Sequence, residues 1–396
     1  MTLVAQSYHD FKRMIMERQL RVLGLDIFDP NHRMNLIFIG MSINILTYLS
    51  ITAIDVSWLF WGDLQRICAC VVTNPYPIVS LIRMFGYHRN RKLFRELLEN
   101  SIGAHTENYK DEERDVFQKY GRWLKKFGIY NTIFFSVCGT IGIATPFLLY
   151  KVTGEKTLPY GFVIPGISDT ENPGYVLNYI FHIFECACVC LGYLGPFHTF
   201  TFFVVIACFR IEAIIIKLRR LDNNLRAIGE SSITTVNHNN NKSNENEENL
   251  IEIVKSHQEF LLFISDLEEI FSMQSFYDLI GISFELVVTL YVCSWEFWLT
   301  GYLLLATVTV LLFSSSMLGM IIEVKADKLF DTIYDLSWHL LKPDERRIVV
   351  LLLCAAKNTQ LLTCGGHFPL NLDTFARAYK SAYSLLMFLL NTHKEM

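Results

Sequence analysis

The chain has 396 residues, of which 52% are hydrophobic and only 19% charged, and its formal net charge is −4. A soluble protein of this length normally carries about a quarter charged residues. The apolar residues also gather in blocks of 18 or more, which is the length that crosses a bilayer as a helix. Composition therefore excludes an ordinary soluble enzyme and indicates an all-α integral membrane protein.

Seven apolar segments are long enough to be transmembrane helices. The second one contains Asn74-Pro75-Tyr76-Pro77, which predicts a kink in that helix. The predicted spans are 35–54, 64–84, 129–150, 177–207, 276–295, 297–322 and 374–390. The first six form a predicted bundle at 35–322, preceded by an N-terminal segment at 1–34.

The distribution of Lys and Arg predicts the orientation of these spans. Segments 1–34, 85–128, 209–270 and 323–347 contain five, ten, seven and five of them, respectively. The alternate connections 55–63, 151–174 and 292–296 contain zero, two and zero. By the positive-inside rule the N-terminus is cytoplasmic, and seven spans leave the C-terminus extracellular.

The long cytoplasmic connection 209–270 contains an amphipathic segment at each end. Between them, residues 231–249 are rich in Asn and Glu, which predicts a disordered linker. We expect the two amphipathic segments to pack in a cytoplasmic bundle with residues 323–363, which belong to a cytoplasmic anchor region at 323–373. The alternative is that they lie along the bilayer surface.

The C-terminal stretch 347–391 holds two apolar runs separated by GGHFPLNLD. Gly365–Gly366 and Pro369 predict that the seventh span is broken here into a cytoplasmic anchor half and a pore-lining half at 374–396. In the second half, five residues form a stripe: Arg377, Ser381, Ser384, Phe388 and Asn391. They are 4, 3, 4 and 3 residues apart, so on a helix all five lie on one face. A thin polar stripe with one bulky ring is typical of a pore wall, and equally of a helix that turns its polar side to another helix.

The C-terminal third carries a set of residues in a specific order over some 70 positions: Tyr334, Trp338, Ala356, Lys357, Gln360, Gly366, Phe368, Leu370, Leu372, Thr374, Phe375, Tyr383 and Ser384. In these residues and their order the chain resembles the insect odorant receptor family. Looser matches to the family are a glycine at position 24, NRKLFRELL after the second span, and LPYGFVIPG in the large outer loop.

This resemblance implies an odorant-tuning subunit of a heterotetrameric, ligand-gated, non-selective cation channel in the plasma membrane of sensory-neuron dendrites. Its partners would be a small volatile odorant, a shared co-receptor subunit and membrane lipid. The co-receptor itself is longer, with a larger insertion in the second cytoplasmic loop, whereas that loop is modest here. The resemblance puts a hydrophobic gate at Phe388, with Leu389 or Leu390 as competitors, and Asn391, Ser384 and Ser381 along the same pore. We expect Arg377 and Lys380 to pair or to reach the membrane interface, with Asp373 as one candidate partner.

The resemblance also implies an odorant pocket in the outer half of the bundle, between spans two, three, four and six. An odorant site is expected to be enclosed, aromatic and sparsely polar. The candidates are Cys70, Val71, Ile141, Thr145, Phe147, Phe181, Phe184, Cys188, Trp298, Tyr302 and Leu305.

Other classes of protein fit the sequence less well. A G-protein-coupled receptor needs the opposite orientation, a gustatory-type receptor channel ends in a different pattern, and a transporter would show an inverted repeat. The sequence has no G-x-S-x-G, P-loop or H-E-x-x-H motif, and its ten cysteines form no zinc pattern. We therefore expect no enzyme activity, metal, cofactor or nucleic-acid ligand.

Overall fold

The computed structural model describes residues 6–26, 34–102, 110–154, 156–231, 239–295, 297–359 and 361–395. These residues are almost entirely helical, with one short antiparallel pair of strands, β1 (Thr363–Cys364) and β2 (Phe368–Pro369). The α-helices are α1 (Gln6–Phe11), α2 (Arg18–Val22), α3 (Leu36–Ile54), α4 (Leu64–Val71), α5 (Pro75–Arg89), α6 (Arg91–Ile102), α7 (Asp111–Thr153), α8 (Gly174–Ser231), α9 (Asn239–Cys293), α10 (Leu299–Tyr334), α11 (Pro343–Lys357) and α12 (Leu372–Glu395). A short π-helical turn follows α1 (Lys12–Glu17) and another follows α3 (Asp55–Leu59). A 3-10 turn, Trp338–Leu340, precedes α11.

In the described chain, six helical segments are long and apolar enough to cross a membrane. These segments overlap the first six predicted spans, which are therefore confirmed as helices long and apolar enough to cross a membrane. The helix of the predicted seventh span, α12, lies outside this set because Asp373, Arg377 and Lys380 make its first turns polar. The six are Leu36–Leu59, Arg66–Arg89, Asp111–Thr153, Gly174–Ala227, Asn246–Cys293 and Leu299–Tyr334.

Local signals in the sequence set the ends of the first two spans. Asn35 caps α3, because its side chain accepts a hydrogen bond of 2.8 Å from the backbone N–H of Phe38. In the second span the helix is interrupted at the predicted kink: α4 ends at Val71 and α5 starts at Pro75, while Val72 and Asn74 between them keep helical φ and ψ angles. Proline is suited to the first position of a helix, where its missing N–H costs no hydrogen bond.

Three helices extend far beyond the membrane-spanning length. Helices α7, α8 and α9 have 43, 58 and 55 residues, so α8 is about 87 Å long at 1.5 Å per residue, against about 30 Å of hydrocarbon. The amphipathic segments predicted in 209–270 are the continuations of spans four and five. Their apolar stripes are buried in one shared core, which includes Leu218, Leu221, Phe260 and Leu267. The extensions therefore form a bundle, as predicted, and do not lie as separate helices along a surface.

The described ends of the predicted linker 231–249 are helical. Residues 232–238 lie outside the described residues, but α8 continues to Ser231 and α9 already begins at Asn239, so the prediction is wrong for residue 231 and for residues 239–249. Glu is a good helix former, and propagation of an existing helix adds one hydrogen bond per ordered residue. Extension from the packed turn at Leu250, which is fully buried, therefore prevails over chain entropy here.

The N-terminal helices pack tightly against α7 and α8. Tyr8 is fully buried, and its ring stacks on Phe117 with 4.1 Å between the ring centroids. The ammonium group of Lys125 pairs with the carboxylate of Asp10 at 2.8 Å. The described part of the segment 1–34 is thus part of the same core as the long helices.

The predicted break in the seventh span is a small hairpin between α11 and α12. Gly365 and Gly366 have φ angles of +65° and +75°, which L side chains rarely adopt, so glycine is needed at this turn. Strand β1 is held on α9, because the N–H of Thr363 donates to the carboxylate of Glu268 at 2.8 Å. On the far side of the hairpin, a methyl group at Gly319 of α10 would overlap the carbonyl oxygen of Leu370. This close backbone approach fixes the point from which α12 starts.

Candidate functional site

A cavity with about 790 Å³ of space free of protein atoms lies between α3, α5, α7, α8 and α10. Its lining comes from every one of these helices, from the turn before α5, and from the connection between α7 and α8. The lining residues are Tyr48, Thr73, Tyr76, Pro77, Phe135, Cys138, Gly139, Gly142, Tyr160, Phe162, Glu185, Cys186, Val189, Cys190, Tyr193, Thr300, Leu303, Leu304, Thr307 and Leu311.

The walls of this cavity are mainly apolar, with several aromatic rings and a few polar groups. The hydroxyls of Tyr48 and Thr73 share a hydrogen bond of 2.5 Å, which satisfies both on one wall. On another wall the hydroxyl of Thr300 donates to the carbonyl of Gly142 at 3.4 Å. The carboxyl group of Glu185 is the one acidic group in the lining. An apolar enclosure with sparse, placed polar groups selects small organic molecules by shape and by one or two hydrogen bonds.

The connection between α7 and α8 forms the outer cover of the cavity. Phe162 is buried, and its ring stacks on His182 of α8 with 4.0 Å between centroids. The backbone N–H of Val163 donates to the carboxylate of Asp55 at 2.8 Å, which ties this cover to the end of α3. The cover is the segment LPYGFVIPG, so the motif quoted for the family resemblance supplies Tyr160 and Phe162 to the cavity.

A second cavity, of about 540 Å³, continues from the first toward α12. The two share Tyr193 and Leu311, and the second one ends at Leu370 and Thr374, beside the start of α12. Where they meet, polar groups are buried between α5 and α9. The hydroxyl of Tyr76 donates to the carboxylate of Glu285 at 2.5 Å.

A buried ion pair lies along the same route. The guanidinium of Arg83 on α5 donates to both carboxylate oxygens of Asp278 on α9, at 2.6 and 2.5 Å. The guanidinium carbon also lies 4.4 Å from the ring centroid of Tyr193, a cation–π contact. Charged groups inside membrane helices are rare and functional when present, so this pair belongs to the candidate site.

Helix α12 has two distinct faces. One face packs on α9 and α10: Ala382 and Leu386 are only 3% and 8% exposed, and Tyr379 shares a hydrogen bond with Thr309 of α10. The other face is the predicted polar stripe, and it points away from the bundle. In that stripe Ser381, Ser384 and Asn391 are exposed, and Phe388 is 64% exposed.

The remaining predicted pore residues take intermediate positions. Leu389 is 37% exposed and Leu390 is half-buried. Arg377, for which we expected pairing or snorkelling, donates a hydrogen bond of 3.1 Å to the hydroxyl of Thr374. This keeps the guanidinium beside the helix start.

The structure does not bring the eleven predicted odorant contacts together around the cavity, whose lining includes none of them. Four of them point outward from the bundle: Ile141, Phe147, Phe184 and Tyr302 are exposed. Cys70 and Phe181 pack with the cover around Phe162, Thr145 is buried within α7, and Leu305 packs toward α12. Val71, Cys188 and Trp298 are half-buried.

The predicted odorant contacts lie on helices that surround the cavity, but not on the faces of those helices that line it. Large apolar side chains at the outer ends of the spans suit a lipid-facing surface, so aromatic content alone does not identify an inward face. The cavity is lined instead by neighbouring positions, such as Cys186 and Val189 rather than Phe184 and Cys188. A signal for the inward face was present in the sequence, because acidic residues inside apolar spans, such as Glu185 and Glu285, face the interior of a bundle.

Fold and cavity together define a multi-pass helical membrane protein with an apolar cavity among its helices. The family model described as "7tm Odorant receptor" matches residues 68–383. The chain belongs to the insect odorant receptor family. The relatives it matches include odorant receptor Or2 of Anopheles gambiae, 20% identical over 340 residues that cover 82% of this chain and 84% of that one. Odorant receptor 10 of Aedes albopictus is 21% identical over 358 residues, which cover 86% and 90% of the two chains.

Solved structures with the same fold agree with this assignment. The olfactory receptor OR5 of Machilis hrabei in complex with eugenol superposes with a TM-score of 0.77, at 12% identity over 98% of this chain and 99% of that one. A second structure of OR5 gives a TM-score of 0.74 at 11% identity over 98% and 100% of the two chains. At this level of identity the likeness establishes the fold.

Proposed function

We propose that this chain is the odorant-tuning subunit of a heteromeric, ligand-gated, non-selective cation channel. A small volatile molecule binds in the cavity beneath the cover around Phe162, and the ion path runs along the polar stripe of α12. The main observation in support of this proposal is that only one face of α12 packs against the rest of the chain. One face is fixed to the bundle near the second cavity, and the opposite polar face is uncovered in the single subunit.

The cavity supports the binding half of this proposal. Its apolar walls, with several aromatic rings and sparse polar groups, suit a small and mostly apolar molecule. A receptor of the same fold, OR5 of Machilis hrabei, has been solved with eugenol. The ligand changes the open population only if its affinity differs between the open and closed arrangements. Side chains shared by the two cavities, such as Tyr193, are suited to sense that difference.

The stripe of α12 supports the channel half. Four copies of a helix whose exposed side carries Ser381, Ser384 and Asn391 would surround a wet path, and a ring of Phe388 side chains would close it. Such a ring blocks ions by dewetting, and its displacement admits hydrated cations. Leu389 and Leu390 remain competitors for this position.

The proposed topology has seven spans, with the N-terminus cytoplasmic and the C-terminus extracellular in the plasma membrane of a sensory-neuron dendrite. The Lys- and Arg-rich connections and the long helical extensions of α7, α8 and α9 support this orientation. The modest connection between α8 and α9 supports a tuning subunit, with the larger co-receptor as its partner in a heterotetramer.

The direct test is co-expression with a co-receptor subunit in a cell that has no odorant response, with recording of currents over a panel of volatile compounds. We expect odorant-evoked cation currents that persist when G proteins are inhibited. Currents that vanish with G-protein inhibition would contradict the channel mechanism.

The gate has its own test. Phe388→Ala is expected to raise the basal current, because a smaller side chain widens and wets the constriction. The matched control is Tyr383→Ala, since Tyr383 has a similar size and exposure, 62% against 64%, but lies about 140° around the helix from Phe388. If both variants leave the basal current unchanged, Phe388 is not the gate.

A further inference from the structure

The carboxyl group of Glu185 has an unusual environment in the cavity. Glu185 lies on α8, lines the cavity and is only 6% exposed. Its Oε1 has no hydrogen-bond partner among the described residues. Asn44 of α3 lies beside the same carboxyl, but the amide Nδ2 of Asn44 is also without a partner in that part of the chain. The carboxyl therefore belongs to a side chain that lines the cavity, and it has a neutral amide beside it but no positive charge among the lining residues that the structure describes.

No positive charge of the protein offsets this carboxyl within the cavity wall. None of the described residues that line the cavity is Lys, Arg or His. His182, one turn earlier on α8, is engaged elsewhere: its Nε2 bonds to the carbonyl of Phe162 at 3.0 Å and its ring stacks on Phe162. A buried ionised carboxylate without a partner is costly. The missing partner can come from the ligand.

The rest of the wall suits a cation. Aromatic faces attract ammonium groups within about 6 Å of the ring centroid, and cages of aromatic rings recognise quaternary ammonium ligands. Six rings contribute to this wall: Tyr48, Tyr76, Phe135, Tyr160, Phe162 and Tyr193. The apolar remainder of the wall fits a hydrocarbon tail.

We infer that the preferred ligand class is a small volatile primary or secondary amine with an apolar tail, bound with its nitrogen against Glu185. This deepens the proposed function and rests on it. An amine that enters as the free base takes the proton of the carboxyl. The O–H bond of Glu185 breaks, an N–H bond forms, and the net charge of the cavity is unchanged. The resulting ammonium donates to Oε1 while the tail contacts the aromatic rings.

The test uses the full-length chain with a co-receptor subunit and pairs of isosteres. Linear primary amines of four to eight carbons, and benzylamine, are each compared with the alcohol in which a hydroxyl replaces the amino group. Glu185→Gln keeps the shape of the side chain but removes its charge. Loss of one partner of a buried charge pair is expected to raise the half-maximal concentration for amines about 30-fold or more. The value for the matched alcohols is expected to change less than about 3-fold, because a neutral hydroxyl bonds to Gln about as well as to a protonated carboxyl.

Two further variants complete the test. Glu171→Gln removes the same charge from an exposed position on the outer connection and is expected to leave both ligand classes unaffected. Glu185→Asp retains the acid but shortens it, and it is expected to preserve the preference for amines over alcohols. Surface staining of each variant separates loss of binding from loss of folded protein.

The outcomes are distinct. An amine-selective loss in Glu185→Gln supports the inference. Equal losses for amines and alcohols, or a wild-type channel that opens to neutral compounds but to no amine, would overturn the amine assignment and leave the channel proposal intact. A wild-type subunit that reaches the surface but conducts with no compound of either class would overturn the proposed function and, with it, this inference.

Discussion

Asp278→Asn is expected to destabilise the protein strongly, because it leaves the guanidinium of Arg83 buried without its counter-charge. Arg83 is only 4% exposed, and Asp278 Oδ1 and Oδ2 are its acceptors at 2.6 and 2.5 Å. Two of its other nitrogens, Nε and Nη1, have no hydrogen-bond partner among the described residues. The pair therefore has no substitute once the carboxylate is removed.

The magnitude follows from the burial of this pair. Removal of one partner of a buried ion pair costs about 3–5 kcal/mol. For a chain of 396 residues, with an unfolding entropy of about 2.1 cal/mol/K per residue, this corresponds to a melting temperature lower by about 4–6 °C. The double variant Arg83→Met with Asp278→Leu is expected to recover most of this loss, since well-packed apolar residues often replace a buried pair without penalty.

The assay is thermal aggregation of the detergent-solubilised, fluorescently tagged receptor. Asp344→Asn is the control, because Asp344 pairs with Arg347 on the exposed surface of α11 and such pairs contribute little. If Asp278→Asn melts with the wild type, or if the double variant is no more stable than the single one, the buried pair does not have the assigned role.

Three other predictions address the start of α12, the topology and the burial of Cys364. Gly319→Ala is expected to displace Leu370 and thereby reduce the odorant-evoked current. The control is Gly86→Ala, whose added methyl group meets no atom within 4 Å and which is expected to behave as wild type. Normal gating in Gly319→Ala would refute the close approach of Gly319 to Leu370. A membrane-impermeant maleimide is expected to label exposed Cys354 only after the cell is permeabilised, and labelling of intact cells that disappears in Cys354→Ser would invert the topology. Cys364 is expected to stay unlabelled in the folded protein, since burial raises the pKa of its thiol to about 12 and the thiolate is the reactive form; rapid labelling at Cys364 would contradict its burial.

The sequence predicts the helices well where hydrophobicity is continuous and a capping residue marks the end. Asn35 starts α3 as expected, and the two prolines at 75 and 77 interrupt the second span. The break at Gly365–Gly366 is also recovered, because only glycine tolerates the positive φ angles of that turn. These features depend on local interactions within a few residues.

The faces of the helices are harder to predict, because lipid is as apolar as the interior of the protein. Phe184 was predicted to face inward and is exposed, whereas Glu185, the next residue, lines the cavity. In a soluble protein the polar residue would point outward. The ion pair between Arg83 and Asp278 joins residues 195 positions apart in the chain, so a single sequence carries no local signal for it.

The stripe of α12 was predicted correctly as one helix face, because a period of 3.6 residues depends only on the helix itself. Its proposed role as a pore wall depends on neighbouring subunits, which a single chain does not contain. The contrast between buried Ala382 and exposed Ser384 shows only that this side is available.

The most direct test of the central claim is cysteine modification along α12 in the conducting heteromer. Cysteine is placed at Ser381, Ser384 or Phe388 on the stripe, and at Ala382 or Leu386 on the packed face, and a positively charged thiol reagent is applied while odorant-evoked current is recorded. We predict irreversible block at the three stripe positions and none at the two packed positions. Block at the packed positions with none along the stripe would show that the ion path does not run along this face of α12.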